Sequence, residues 1–172
     1  GGPLAKSLTD LGAYARSTRG SGCPPFVVEG TLHGGETSID AVSSQYLSSL
    51  LINTPLADGD SFIDVPILNE APYVEMTLDW LDKQGIEFER QGVRSFRIPG
   101  GQCYKPVRRR IPADFSSATF FLAAGALGAN NVLVRGLDMN DTQGDKAVVD
   151  YLRQMGAKVD ITQEGIRVQA ND

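Results

Sequence analysis

An internal repeat constrains the fold of this chain more than any other feature of its sequence. Ser116-Ser117 follows Ser43-Ser44 at a distance of 73 residues (116 − 43), and each pair opens a run of small and apolar residues. A repeated unit cannot bury its apolar face alone, so it packs against neighbouring units. We therefore expect the chain to consist of packed copies of one supersecondary unit.

Each unit is predicted to run helix, strand, helix, strand, strand. Apolar residues recur at three- to four-residue spacing before Gly85 and again before Gly156, which is typical of amphipathic helices that end at a glycine. The stretches "RSFRIP" and "IRVQA" that follow alternate apolar and polar residues, as a strand with one buried face does. This pattern predicts a mixed α/β (α+β) fold class.

The N-terminal stretch matches only the second half of such a unit, with a helix that ends at Gly12 and strands after it. The chain is thus expected to hold about two and a half units and to be a piece of a longer protein. Pro106 and Pro112 are unfavourable in a helix interior and in a central strand, which predicts a boundary near Arg110 to Ala113. The predicted parts are residues 1–111, with half a repeat and one full repeat, and residues 112–172, with one repeat.

Charge and cysteine content exclude several classes of partner. With 16 Lys and Arg against 21 Asp and Glu, the chain has a formal net charge of −5, so neither nucleic acid nor an anionic membrane is an expected partner. Cys23, Cys103 and the single histidine, His33, lack the spacing of a zinc site or a disulfide framework, and no metal is predicted. The two cysteines are expected to be interior thiols in a reducing cytoplasm.

The two serine pairs have alternative roles. A serine hydroxyl at a helix start accepts a hydrogen bond from a free backbone N–H group and caps the helix. This interpretation accounts for Ser116 and Ser117. At Ser43 and Ser44 the helix start could instead bind phosphate, because first-turn N–H groups, the helix dipole and two hydroxyls all attract an anion. The residues leave both interpretations open there.

Several blocks of the chain resemble one enzyme family in its order and spacing. The blocks are "VSSQYLSSLLINTPL", "APYVEMTLDWLDKQGIEFE", "IPADFSSATFFLAAGAL" and "TQGDKAVVDYLRQMGAKV". They are similar to the 5-enolpyruvylshikimate-3-phosphate (EPSP) synthase family, the 3-phosphoshikimate 1-carboxyvinyltransferases, and the resemblance covers nearly the whole chain. It implies the βαβαββ repeats of the enolpyruvyl transferase fold. It also implies that residues 1–111 are part of the shikimate-phosphate-binding domain and that residues 112–172 are one repeat of the second domain.

The resemblance also implies a transferase reaction of the shikimate pathway, which leads to the aromatic amino acids. In this family the 5-hydroxyl group of shikimate 3-phosphate adds to phosphoenolpyruvate, and phosphate then leaves. The implied partners are these two substrates in the cytoplasm, and no cofactor is needed. The resemblance does not include the region that holds the family's acid and base groups, so the isolated chain is expected to be inactive.

Carried over residue by residue, the resemblance assigns a substrate site. Ser43 and Ser44 match serines that bind the 3-phosphate group, and Gln45 matches a glutamine of the same site. Tyr73 matches a tyrosine beside the shikimate ring. Glu70 stands where the family has a further phosphate-binding serine, and its carboxylate is expected to repel a phosphate.

Arg108 and Asp114 are further possible site residues. The run of three arginines that contains Arg108 is either a solvated face beside a hinge or an anion-facing hinge. Asp114 is interpreted as a hinge or cap residue, and no catalytic residue is assigned. Two alternatives to the function stay open at this point: the related UDP-N-acetylglucosamine enolpyruvyl transferase, and a non-catalytic binding or structural module.

Overall fold

The computed structural model describes residues 1–170, and the chain divides into two compact units, Gly1–Pro106 and Val107–Asp172. Residues 171 and 172, which end the second predicted part, lie outside the described residues. The predicted boundary between residues 111 and 112 lies slightly further along the chain than the division between the units. The assignment of the two parts to domains of a parent enzyme stays a prediction.

Both units contain the predicted order of helix, strand, helix, strand, strand. The elements of the first unit are α1 (Gly2–Asp10), β1 (Tyr14–Ser17), β2 (Phe26–Glu29), β3 (Gly35–Ser38), α2 (Ser44–Asn53), β4 (Ser61–Asp64), α3 (Ala71–Lys83), β5 (Glu89–Gln91) and β6 (Ser95–Ile98), with a 3-10 helix at Thr54–Leu56. Those of the second unit are α4 (Phe115–Gly125), β7 (Asn131–Val134), α5 (Val148–Gln154), β8 (Lys158–Thr162) and β9 (Gly165–Gln169), with a 3-10 helix at Gly144–Ala147. The mixed α/β fold class is therefore confirmed.

The sheets of the two units have corresponding strand orders, in keeping with the sequence repeat. The first unit has a four-stranded sheet of order β3-β4-β6-β5, in which β3 and β4 are parallel and the other neighbours antiparallel. The second unit has a three-stranded sheet of order β7-β9-β8, which reproduces the arrangement of β4, β6 and β5. After α1, the strands β1 and β2 form an antiparallel pair, as expected for half a unit. The segment from β3 to β6 is a complete βαβαββ unit.

Each unit has an apolar core of its own, built from the inward faces of its helices and strands. In the first unit, the buried members include Leu47, Leu50, Leu78, Phe96 and Ile98. In the second unit, they include Phe115, Leu122, Val149, Leu152 and Val168. Most of these residues come from the helical and alternating patterns from which the elements were predicted, so the cores follow directly from the sequence periodicity.

The expectation of interior thiols is wrong, since Cys23 and Cys103 are both exposed. Among residues 1–170, no helix has the length and apolar character that a membrane crossing needs. Over the same residues, no group of three or more His, Cys, Asp or Glu side chains is placed to hold a metal ion.

Candidate functional site

The starts of α2 and α3 lie side by side because the strands before them are parallel. β3 leads into α2 and β4 leads into α3, so both helices begin at the carboxyl edge of the sheet. The two connecting loops are joined: the Asn69 N–H donates to the Ala41 carbonyl at 3.0 Å, and Asn69 Nδ2 donates to the Val42 carbonyl at 3.2 Å. The parallel pairing therefore fixes two helix N-termini next to each other.

A groove of about 570 Å³ runs from these helix starts along α2 and α3. The residues that line it are Ser44, Gln45, Ser48, Ile52, Glu70, Tyr73, Met76, Thr77, Trp80, Leu81, Gln84 and Tyr104. Three of the four predicted substrate-binding residues, Ser44, Gln45 and Tyr73, are among them, together with Glu70, which was predicted as a possible site residue. Ser43 precedes α2 as its N-cap residue and is not part of the lining.

The first serine pair does not cap its helix. Ser43 has the extended backbone of an N-cap residue, with φ −127° and ψ 132°, yet its side chain makes no capping hydrogen bond. Ser44 is 3 % exposed, and its hydroxyl donates to Glu70 Oε2 at 3.0 Å. The capping interpretation is therefore wrong for this pair, and the first-turn N–H groups of α2 have no side-chain acceptor from the cap position.

The second serine pair is capped by an aspartate. Asp114 is the N-cap residue of α4, and its carboxylate accepts from the N–H groups of Ser116 at 3.1 Å and Ser117 at 2.9 Å. The interpretation of Asp114 as a cap residue is confirmed, whereas the idea that the serines themselves cap α4 is wrong. Hydrogen bonds from the side chain and backbone of Ser117 hold the pKa of the Asp114 carboxyl below its ordinary value.

The two helices begin at different places relative to their serine pairs: the N-cap residue of α2 is Ser43, a member of the pair, whereas that of α4 is Asp114, two residues before the pair. Ala41 precedes Asp114 by the same 73 residues (114 − 41) that separate the serine pairs. The first repeat therefore has no carboxylate at the position from which Asp114 caps α4, and Ser43, at the N-cap of α2, makes no capping hydrogen bond with its side chain. The start of α2 is thereby left open to another acceptor.

Asp114→Ala is expected to lower the free energy of unfolding of the second unit by about 1 kcal/mol near neutral pH, because it removes the cap. The folded-state pKa of Asp114 lies below the unfolded-state value, so the stabilisation is complete above the unfolded-state pKa, about 3.9, and is lost as the pH falls through the folded-state pKa. Urea unfolding of the wild type and the variant over this pH range measures the difference, which should shrink at acid pH.

Ser116→Ala is the matched control. The Ser116 side chain makes no hydrogen bond within residues 1–170, and we expect a change within about 0.5 kcal/mol. An equal loss of stability in the two variants, or a difference that does not vary with pH, would contradict the role of Asp114 as the cap.

Several residues that line the groove were not predicted from the sequence. Ser48, Thr77, Trp80 and Tyr104 all line it, and Ser48 and Thr77 are hydrogen-bonded to each other at 2.7 Å. Burial raises the pKa of the Tyr104 hydroxyl, which donates to the Ile52 carbonyl at 2.6 Å. The three- to four-residue spacing of Tyr73, Thr77 and Trp80 along α3 is the signal that could have placed the α3 residues on one helix face.

The remaining predicted residues do not join this groove. Arg108 belongs to the second unit, is exposed, and has no ion pair within the described part of the chain. Asp114 is engaged at the start of α4 in the same unit. Neither of the two open interpretations of the arginine run is tested by these contacts.

Comparisons with known proteins agree with one another. A family model described as EPSP synthase (3-phosphoshikimate 1-carboxyvinyltransferase) matches residues 2–172. Two relatives named 3-phosphoshikimate 1-carboxyvinyltransferase, from Acetivibrio thermocellus and Ruminiclostridium cellulolyticum, are 51 % and 47 % identical over 168 residues. Each match covers 98 % of this chain and 40 % of the relative, so the chain spans well under half the length of these relatives.

A solved structure shows the same fold. The EPSP synthase from Acinetobacter baumannii superimposes with a TM-score of 0.67 over 98 % of this chain and 40 % of that chain. The sequence identity is 23 %, so this likeness supports the architecture alone. The enolpyruvyl transferase fold implied by the sequence blocks is confirmed.

Proposed function

The chain belongs to the EPSP synthase family, and from this we propose that its parent protein transfers the enolpyruvyl group of phosphoenolpyruvate to the 5-hydroxyl group of shikimate 3-phosphate. Phosphate is the other product, and the reaction belongs to aromatic amino-acid biosynthesis. The names of the relatives favour this reaction over transfer to UDP-N-acetylglucosamine. A cytoplasmic location is part of the same proposal and is supported by the family alone.

One observation supports the proposal for this chain: α2 begins beside the groove, and no side chain at its N-cap accepts a hydrogen bond from its first-turn N–H groups. Ser43 and Ser44 offer two hydroxyls next to first-turn N–H groups without a capping side chain, which suits a phosphate group. Gln45 is exposed at the same helix start, and its amide both donates to and accepts from hydroxyl groups such as those of a shikimate ring.

The groove suits the ring of the substrate as well as its phosphate. Tyr73, which is 43 % exposed, lies in the first turn of α3 and lines the groove together with Gln45. An aromatic side chain packs against the carbon face of a ring while neighbouring polar groups bind its hydroxyls. We therefore propose Ser43, Ser44, Gln45 and Tyr73 as contacts to shikimate 3-phosphate. Arg108 and Asp114 stay predictions.

The isolated chain is proposed to bind this substrate without turning it over. It spans 40 % of the length of its relatives. Among the described residues that line the groove, Glu70 is the one carboxylate, and no lysine, arginine or histidine accompanies it for proton transfer at phosphoenolpyruvate. A phosphate-release assay with both substrates should give the uncatalysed rate. Turnover by the chain alone would contradict this part of the proposal.

An amide NMR titration tests the substrate assignment. Shikimate 3-phosphate should give saturable shifts at Ser43, Ser44, Gln45 and Tyr73, because these residues surround the proposed phosphate and ring positions. UDP-N-acetylglucosamine, the substrate of the related transferase, serves as the competing ligand and should give none. Saturable shifts with the nucleotide sugar alone, or shifts with neither ligand, would contradict the proposed function of this groove.

A further inference from the structure

Glu70 occupies an unusual position at the proposed phosphate site. It has φ +59° and is the one non-glycine residue with a positive φ among residues 1–170. This left-handed backbone at the N-cap of α3 places the carboxylate against α2, where Oε2 accepts the hydrogen bond from the Ser44 hydroxyl. Glu70 does not cap its own helix, since its side chain makes no capping hydrogen bond.

In the second repeat, a glutamine side chain likewise contacts the start of the preceding helix. Gln143 follows Glu70 by 73 residues (143 − 70) and also directs its side chain to the start of the preceding helix. Its Oε1 accepts from the Phe115 N–H at 2.7 Å, and its Nε2 donates to the Ala113 carbonyl at 3.0 Å. Gln143 is 8 % exposed and uncharged. Together with the Asp114 cap, its hydrogen bonds occupy backbone groups at the start of α4.

The same position in the first repeat carries a negative charge and faces a helix start that no side chain caps. A serine hydroxyl has one proton and donates to one acceptor at a time. While Ser44 donates to Glu70, its hydroxyl is not available to a phosphate. The Glu70 carboxylate also repels any second anion at this distance.

We propose that Glu70 is a built-in competitor of the phosphate group, and that it must leave Ser44 before an anionic ligand binds at the start of α2. This inference rests on the proposed function for the location of the ligand, and it adds a specificity-determining residue to that site. The exposure of Glu70 leaves the carboxylate free to turn away from Ser44 into solvent. The ligand class is a phosphate monoester, for which shikimate 3-phosphate and inorganic phosphate are the probes.

The test compares the affinities of the wild type and Glu70→Gln for both probes by calorimetry. Glutamine is the residue at the equivalent position of the second repeat, so the change suits the fold, and amide spectra verify that the variant is folded. Removal of the charge should tighten the binding of both probes by about tenfold at low ionic strength. The gain should shrink in high salt, because salt screens the repulsion.

Glu36→Gln is the matched control, since Glu36 is an exposed carboxylate of the same unit outside the groove. It removes the same charge and should leave both affinities unchanged. A gain of equal size in Glu36→Gln would overturn the proposal, because it would show an effect of net charge rather than of the contact with Ser44.

The remaining outcomes separate this inference from the proposed function. Equal binding of shikimate 3-phosphate by the wild type and Glu70→Gln would overturn the competitor role and leave the substrate assignment standing. Tighter binding of inorganic phosphate by Glu70→Gln, with no preference of either protein for shikimate 3-phosphate, would support the competitor role and contradict the substrate assignment. Binding of neither probe by either protein would overturn both.

Discussion

Phe96→Ala is expected to lower the free energy of unfolding of the first unit by about 3–5 kcal/mol. Phe96 is 1 % exposed and pairs with Ile63 across the β4–β6 ladder, so its ring fills the core between the sheet and the helices. Truncation removes this apolar surface from the core and leaves a cavity. Urea unfolding followed through the amide signals of the first unit measures the loss.

Phe62→Ala is the matched control on the neighbouring strand. Phe62 is 43 % exposed and pairs with Arg97, on the opposite face of the sheet from Phe96. The same truncation should cost less than about 1 kcal/mol there, because little buried area is lost. Similar losses in the two variants would contradict the strand register described above.

Gly165→Ala is expected to destabilise the second unit by about 2–5 kcal/mol. Gly165 has φ +150°, and a Cβ atom on it would lie 2.2 Å from the Val134 carbonyl oxygen of the paired strand. A backbone atom cannot turn aside as a side chain does, so β9 would have to move away from β7. Urea unfolding followed through the amide signals of Val132 and Val168 reports on this pairing.

Gly156→Ala is the matched control, because it shows how much of the destabilisation comes from the positive φ alone, without a steric clash. Gly156 has φ +96°, and a Cβ atom there would meet no atom within 4 Å. Gly156→Ala is therefore destabilised only by the unfavourable positive φ, and we expect its free energy of unfolding to fall by about 1 kcal/mol. If Gly165→Ala cost no more than Gly156→Ala, the close approach of β9 to β7 would be contradicted.

The repeat made most of the fold predictable from the sequence. Helical spacing before Gly85 and Gly156 and alternation in "RSFRIP" and "IRVQA" depend on local geometry, and all four segments form the predicted elements. The strand order was not predictable from this spacing, because it depends on which strands pair. The exposure of Cys23 and Cys103 likewise depends on tertiary packing rather than on residue type.

The candidate site was only partly predictable, because the two serine pairs look alike in the sequence. Asp114 lies two residues before the second pair and is the N-cap residue of α4, whereas the N-cap residue of α2 is Ser43 itself. The Asp114 cap could have been predicted from the sequence, since aspartate is a preferred cap residue. The absence of a side-chain cap at Ser43 could not, because serine is preferred as well. The contact between Ser44 and Glu70 could not, because it joins residues 26 positions apart through the parallel pairing of β3 and β4.

We propose that the first serine pair belongs to an anion site, whereas the second lies at a helix start that Asp114 caps. The most direct measurement is a calorimetric titration with shikimate 3-phosphate of the wild type, Ser44→Ala and Ser117→Ala. We expect saturable binding by the wild type and Ser117→Ala and at least about tenfold weaker binding by Ser44→Ala, which lacks one phosphate donor. Equal binding by all three proteins, or a loss with Ser117→Ala alone, would contradict this proposal.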